Sequence, residues 1–125
     1  MSQTIGRRRW AIAEGYIPAE SHGPAPQMAS HEAICFLNAS DHDAHVRITF
    51  YYSDREPVGP YEVAVCARRT KHVRFNELSS PAPIPRDTDY ASLIESDVPV
   101  VQHTRLDSRQ AENALMTTMA FAESG

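Results

Sequence analysis

Gln102, His103, Arg105, Asp107 and Arg109 crowd the polar end of an apolar run that begins at Val98, and they are the residues best suited to chemistry. An amide and two guanidinium groups offer planar, multi-donor recognition of hydroxyls or carboxylates. Strand parity puts His103 and Arg105 on one face with Val101, and Gln102 and Thr104 on the other. His103, Arg105 and Asp107 could therefore floor a ligand site. The same residues could equally form an arginine–aspartate network at a sheet edge or a subunit contact, and both readings stay open.

Three further clusters compete with this one. Arg68, Arg69, Lys71, His72 and Arg74 form a positive stripe. Charges on an edge strand discourage edge-to-edge pairing, which is the simplest use for them. Arg68, Arg69 and Lys71 would also suit an acidic partner or an anion, while His72 and Arg74 could reach a ligand. Nucleic-acid binding is the weaker use, because the stripe lacks interleaved aromatics and the chain is acidic overall. Asp41, His42, Asp43 and His45 superficially resemble metal ligands, but alternation splits the two histidines and the spacing fits no zinc pattern. Trp10 and Glu14 share a strand face, as an aromatic plate and a carboxylate would to hold a sugar ring. Tyr51, Tyr52 and Tyr61 could supply similar plates. A single tryptophan in a sandwich also serves well as core.

No nucleophile elbow, phosphate-cradling glycine loop or Cys/His zinc set occurs. Neither an enzyme nor a cofactor- or metal-binding protein is expected.

At 125 residues the chain suits one domain, 1–125, with a single core. Apolar content of 42% and charged content of 22% are ordinary for a globular protein. The net charge of −4 argues against the whole molecule binding nucleic acid. Cys35 and Cys66 both sit in apolar runs and read as buried free thiols of a cytoplasmic protein. No secretory signal is expected, and no apolar run approaches the ~20 residues of a membrane span.

The elements that must position these residues are mostly strands. Residues 8–14 read as a first strand, followed by a proline-broken loop over 15–30. The run at 31–38 is almost continuously apolar and reads as a strand buried on both faces. Residues 38–43, NASDHD, are turn formers, so 31–38 and 44–52 are expected to pair as a hairpin. Residues 44–52 and 61–67 alternate cleanly. Residues 68–75 give the basic strand, with Val73 and Phe75 inward and His72 and Arg74 outward. The alternating prolines of 78–87 favour an extended surface connection. One helical turn is expected around 90–94, and a strand from Val98 onward. The segment 109–122 suits helix or strand; a short turn at 109–112 and a last strand over 113–121 fit best. Short strands at about ten-residue spacing predict an all-β, antiparallel β-sandwich of jelly-roll type, with about eight strands and little helix.

Five stretches carry a resemblance across almost the whole chain: WAIAEGYIP (10–18), FYYSDREPVGPY (50–61), ARRTKHVRFN (67–76), PAPIPRDTDYAS (81–92) and VVQHTRLDSRQAENAL (100–115). Together they resemble the sensory rhodopsin transducer family. The resemblance implies a small β-sandwich that assembles as a homotetramer. It implies a cytoplasmic protein that docks on a membrane-embedded sensory rhodopsin, a seven-helix retinal photoreceptor, and relays its light signal. The wider family also implies a second reading, a domain binding a small, sugar-like molecule without a rhodopsin. No residue role carries over. A DNA contact through residues 68–74 is a third, less favoured reading.

Overall fold

A computed structural model describes residues 5–17, 31–108 and 114–123. Eight strands run in chain order: β1 (Arg7–Gly15), β2 (His31–Asn38), β3 (Ala44–Tyr51), β4 (Val58–Val65), β5 (Arg69–Arg74), β6 (Tyr90–Ser108), β7 (Ala114–Met119) and β8 (Phe121–Ala122). One 3-10 turn, Phe75–Glu77, is the only helical element among the described residues. The fold is an all-β, antiparallel sandwich, as expected.

The organising element is β6, 19 residues long. Its first half lies in sheet A, ordered β4-β3-β6-β1-β8. Its second half lies in sheet B, where β2 sits between β5 and β6, and β7 flanks β6 on the other side. The changeover falls at residues 96–100. There the Ser96 hydroxyl donates to Val98 O at 2.6 Å and accepts from Val98 N at 3.3 Å. The register against β1 shifts between Arg7↔Val100 and Arg9↔Glu95.

The core lies between the sheets. Alternation supplies it: β3 gives Val46, Ile48 and Phe50, β4 gives Tyr61, Val63 and Val65, and β2 gives Ile34 and Phe36. Phe50 sits at the centre of an aromatic cluster, with ring centroids 5.2 Å from Tyr61, 5.0 Å from Phe75 and 5.4 Å from Tyr90, all edge-on. Edge-to-face packing sets the positive ring edge against the negative ring face. The Tyr61 hydroxyl donates to Ala82 O, tying the proline-rich connection to the core.

Three sequence expectations are corrected. Residues 31–38 and 44–52 do not form a hairpin: β2 pairs β5 and β6, whereas β3 pairs β4 and β6. The 38–43 turn instead carries the chain from sheet B to sheet A. Its anchor is Asn38, fully buried, whose Nδ2 donates to His42 O (2.8 Å), Val65 O (3.0 Å) and Cys66 O (3.4 Å). Asn38 Oδ1 accepts from the backbone and the hydroxyl of Ser40. Residues 90–94 are strand and not a helical turn, because Tyr90, Ser92, Ile94 and Ser96 are buried on one face of β6. Cys66 is exposed, since it shares parity with the outward Glu62 and Ala64; Cys35 is buried. The final segment is strand over β7 and β8, while the turn expected at 109–112 lies outside the described residues, as does most of the 15–30 loop.

Candidate functional site: the outer face of sheet B

The two polar clusters of the sequence converge on β2 from opposite sides. Ile34 and Phe36 belong to the core, so Ala33 and Cys35 stand on the other face of β2. One register row reads His72 (β5), Cys35 (β2), His103 (β6), Met119 (β7). The next reads Arg74, Ala33, Arg105, Thr117. A third reads His31, Asp107, Leu115. Residues about 30 positions apart in the chain thus share a row because β2 is inserted between their strands.

Ala33 and Cys35 are only 6% and 5% exposed although they sit on the outer face. They form a recessed floor of small side chains. On β5, His72 is exposed and Arg74, expected to face outward, is half-buried. His103, Arg105 and Asp107 are placed by backbone register alone, and their side chains lie outside the described set. Gln102 belongs elsewhere: it is fully buried in the row of Phe36, on the core side.

The basic stripe forms the sheet edge. Among the described residues β5 pairs with β2 alone. Arg68 pairs with Asp41 (2.7 Å), Lys71 Nζ donates to Ala64 O (3.0 Å) and Arg69 donates to Arg68 O (3.0 Å). Lys71 therefore spans the gap between the β5 and β4 edges, and no described carboxylate lies within ion-pair distance of Arg69 or Lys71.

Trp10 packs inward rather than lying open as a plate. It is buried in the core cluster, and its indole N–H donates to Val100 O (3.1 Å) and Arg7 O (3.0 Å). Glu14 lies on β1 between Ile12 and Gly15, where pairing with β6 shifts register, and its side chain is outside the described set. Neither residue sits in a sheet B row. Tyr61 is likewise core, and burial pushes its phenol above the ordinary tyrosine value. Tyr52 lies beneath the Arg55 guanidinium at 5.0 Å, and burial raises its phenol too.

The Asp41–His45 cluster is taken apart by the turn. Asp41 holds Arg68, Asp43 Oδ1 accepts from Ala67 N (2.8 Å), and His45 pairs with Asp97. No group of three potential metal ligands occurs among the described residues.

Sequence reasoning missed Ala33, Cys35 and His31 as parts of the site. Their apolar, unbroken strand gave no sign of its strand partners. It also missed a cross-strand charge ladder on sheet A, Arg9↔Glu95↔Arg47↔Glu62, with Arg9 also 3.0 Å from Glu123. Beside the ladder a shallow trough of about 440 Å³ runs over Ala11, Ala13, Ala91 and Leu93, between Tyr51 and Phe121.

Comparison with known proteins places these observations. The family model of the Anabaena sensory rhodopsin transducer matches residues 5–122. The solved structure of the Anabaena sensory rhodopsin transducer is 64% identical, with a TM-score of 0.72, covering 80% of this chain and 97% of its own. The crystal structure of Thermotoga maritima 1070 is 35% identical, with a TM-score of 0.86, covering 96% of this chain and 97% of its own. No curated protein matches.

Proposed function

The chain belongs to the Anabaena sensory rhodopsin transducer family, and on that premise we propose that it is a non-catalytic, cytoplasmic signalling protein that binds a membrane-embedded sensory rhodopsin and relays its light signal. The observation that carries the reading is the family match over nearly the whole chain, joined to 64% identity with a solved transducer. No helix among the described residues is long and apolar enough to cross a membrane.

The basic edge strand supplies a docking surface consistent with this role. Arg68, Arg69 and Lys71 are exposed at the edge of sheet B in a chain of net charge −4, so their positive potential is local. Such a patch steers and orients an acidic partner more than it adds raw affinity. The working unit is a homotetramer in this reading, which would present four such edges.

Titration calorimetry of the protein against the detergent-solubilised photoreceptor tests the proposal. Binding is expected at low salt and weaker binding at higher salt, where charges more than ~10 Å apart are screened. Arg69→Glu with Lys71→Glu should weaken it further. Absence of heat at low salt would sink the reading, and light scattering on the same sample checks the tetramer.

A further inference from the structure

We propose that two copies of this chain pack together through the outer face of sheet A, about a twofold axis that runs along the strands between β6 and β1. The proposal deepens the homotetramer reading by naming one of its contacts. It rests on that self-association and not on the photoreceptor.

Two adjoining rows of this face carry the argument. The first crosses the sheet and alternates in sign: Glu62 (β4), Arg47 (β3), Glu95 (β6), Arg9 (β1), and Glu123 just after β8. Arg9 closes on Glu95 at 3.5 Å and on Glu123 at 3.0 Å, while Arg47 and Glu62 stand exposed. The second row is uncharged and reads Thr49, Leu93, Ala11, Phe121. Beside it Ala91 and Ala13 widen the floor into the trough of about 440 Å³. Phe121 projects from the rim with 73% of its surface exposed. A face that carries both an aromatic projection and an apolar hollow can be complementary to itself, which is what a twofold contact requires.

The charges select the occupant and the axis. Under a twofold parallel to the strands, each row meets the same row of the other copy in reversed strand order. With the axis between β6 and β1, Arg47 faces Glu123 of the second copy and Glu95 faces its Arg9. Every facing pair within the overlap then has opposite sign. An axis centred on a strand would set like charges against each other. The same placement lays trough over trough, with Leu93 against Ala11 of the second copy, and swings Phe121 over its Thr49 beside Tyr51. Small residues at the centre let the two sheets reach the ~10 Å spacing of an ordinary sandwich. A partner of one charge sign would instead be repelled at every second strand, and like-charge contacts of that kind exclude wrong partners.

Light scattering on the full chain after size exclusion, with circular dichroism to confirm folding, is the test. The parent protein is expected as an oligomer. Ala91→Arg, which places a long cation near the axis, should halve the particle mass or weaken self-association about tenfold or more. Phe121→Ser removes an exposed ring, so it should do the same with the fold intact. Arg47→Glu and Glu123→Arg should each weaken assembly alone, and mixing the two variants should restore it, because both facing pairs are then of opposite sign. Unchanged mass in both Ala91→Arg and Phe121→Ser would overturn the proposal while leaving the homotetramer reading in place, since copies would then meet elsewhere. A monomeric parent protein would overturn both. Loss of photoreceptor binding without loss of mass would assign the face to the receptor, and that too overturns the proposal.

Discussion

The indole N–H of Trp10 lies 3.1 Å from the carbonyl of Val100, at the point where β6 leaves sheet A for sheet B. Both residues are buried, Val100 completely. Trp10→Phe keeps most of the core volume but removes the donor. It should destabilise the protein by about 1–3 kcal/mol, the cost of leaving a buried polar group unsatisfied. Urea unfolding followed by far-ultraviolet circular dichroism would show the lower midpoint, and an unchanged midpoint would refute the assigned role.

Gly6 packs against the same carbonyl. Its φ is +115°, and an added Cβ would stand 2.4 Å from Val100 O and 2.5 Å from Val100 C. Both the backbone conformation and the space exclude a side chain. Gly6→Ala should therefore cost about 1–3 kcal/mol and lower the melting temperature by several degrees. A melting temperature equal to that of the parent would show that the N-terminal end of β1 does not dock on β6.

Asn38 closes the turn between the sheets with three donated and two accepted hydrogen bonds. Asn38→Ala strands Val65 O and the Ser40 N–H. A loss of about 2–4 kcal/mol is expected, from more than one unsatisfied buried group. Asn38→Asp should fare no better, because a carboxylate cannot donate to the carbonyls of His42 and Val65. Recovery of full stability in the Asp variant would rule the network out.

Phe50 touches three aromatic rings, two from sheet A and one from the 3-10 turn after β5. Phe50→Ala should cost about 3–5 kcal/mol, and Phe50→Leu distinctly less. Equal losses would mean that ring geometry outweighs volume at this position.

Asp97 receives the backbone N–H of His45 at 2.8 Å and its ring Nδ1 at 3.0 Å. The backbone N–H, followed by the ring contact, holds the carboxyl below its ordinary value despite partial desolvation. A depressed carboxyl stabilises the fold above its unfolded value, near pH 4, and the contribution disappears as pH falls through the folded value. Asp97→Asn should thus be less stable at neutral pH by roughly 0.2–1 kcal/mol, as for an exposed pair, and indistinguishable in strong acid. Denaturation midpoints of the two proteins against pH check this; a gap that widens in acid has the wrong sign.

The strands whose inward residues are all apolar were legible in the sequence. β3 exposes His45, Arg47 and Tyr51 and buries Val46, Ile48 and Phe50, and simple alternation predicts this. The start of β6 defeated the same logic. Its buried positions are Tyr90, Ser92, Ile94 and Ser96, and inward serines hide the period of two. The 38–43 turn was misassigned because a sheet-to-sheet crossover and a hairpin draw on the same turn-forming residues. The distinguishing features, the burial of Asn38 and its bonds to Val65 and Cys66, are long-range. The sheet B site was half legible: both basic clusters stood out, but their meeting across β2 depends on strand order, which local pattern does not encode. Trp10 shares a face with core residues, and its chemistry suggested a ligand where packing claims the side chain.

β6 also sets the order in which the molecule can fold. It pairs with residues as early as Arg7 and as late as Met119, so neither sheet can be completed from sequence neighbours. Its partners must be gathered over loops of most of the chain, and such closures cost entropy before any contact rewards them. Assembly is therefore expected to be slow for a chain of this length. Because one strand is common to both sheets, unfolding of either should propagate to the other as a single transition.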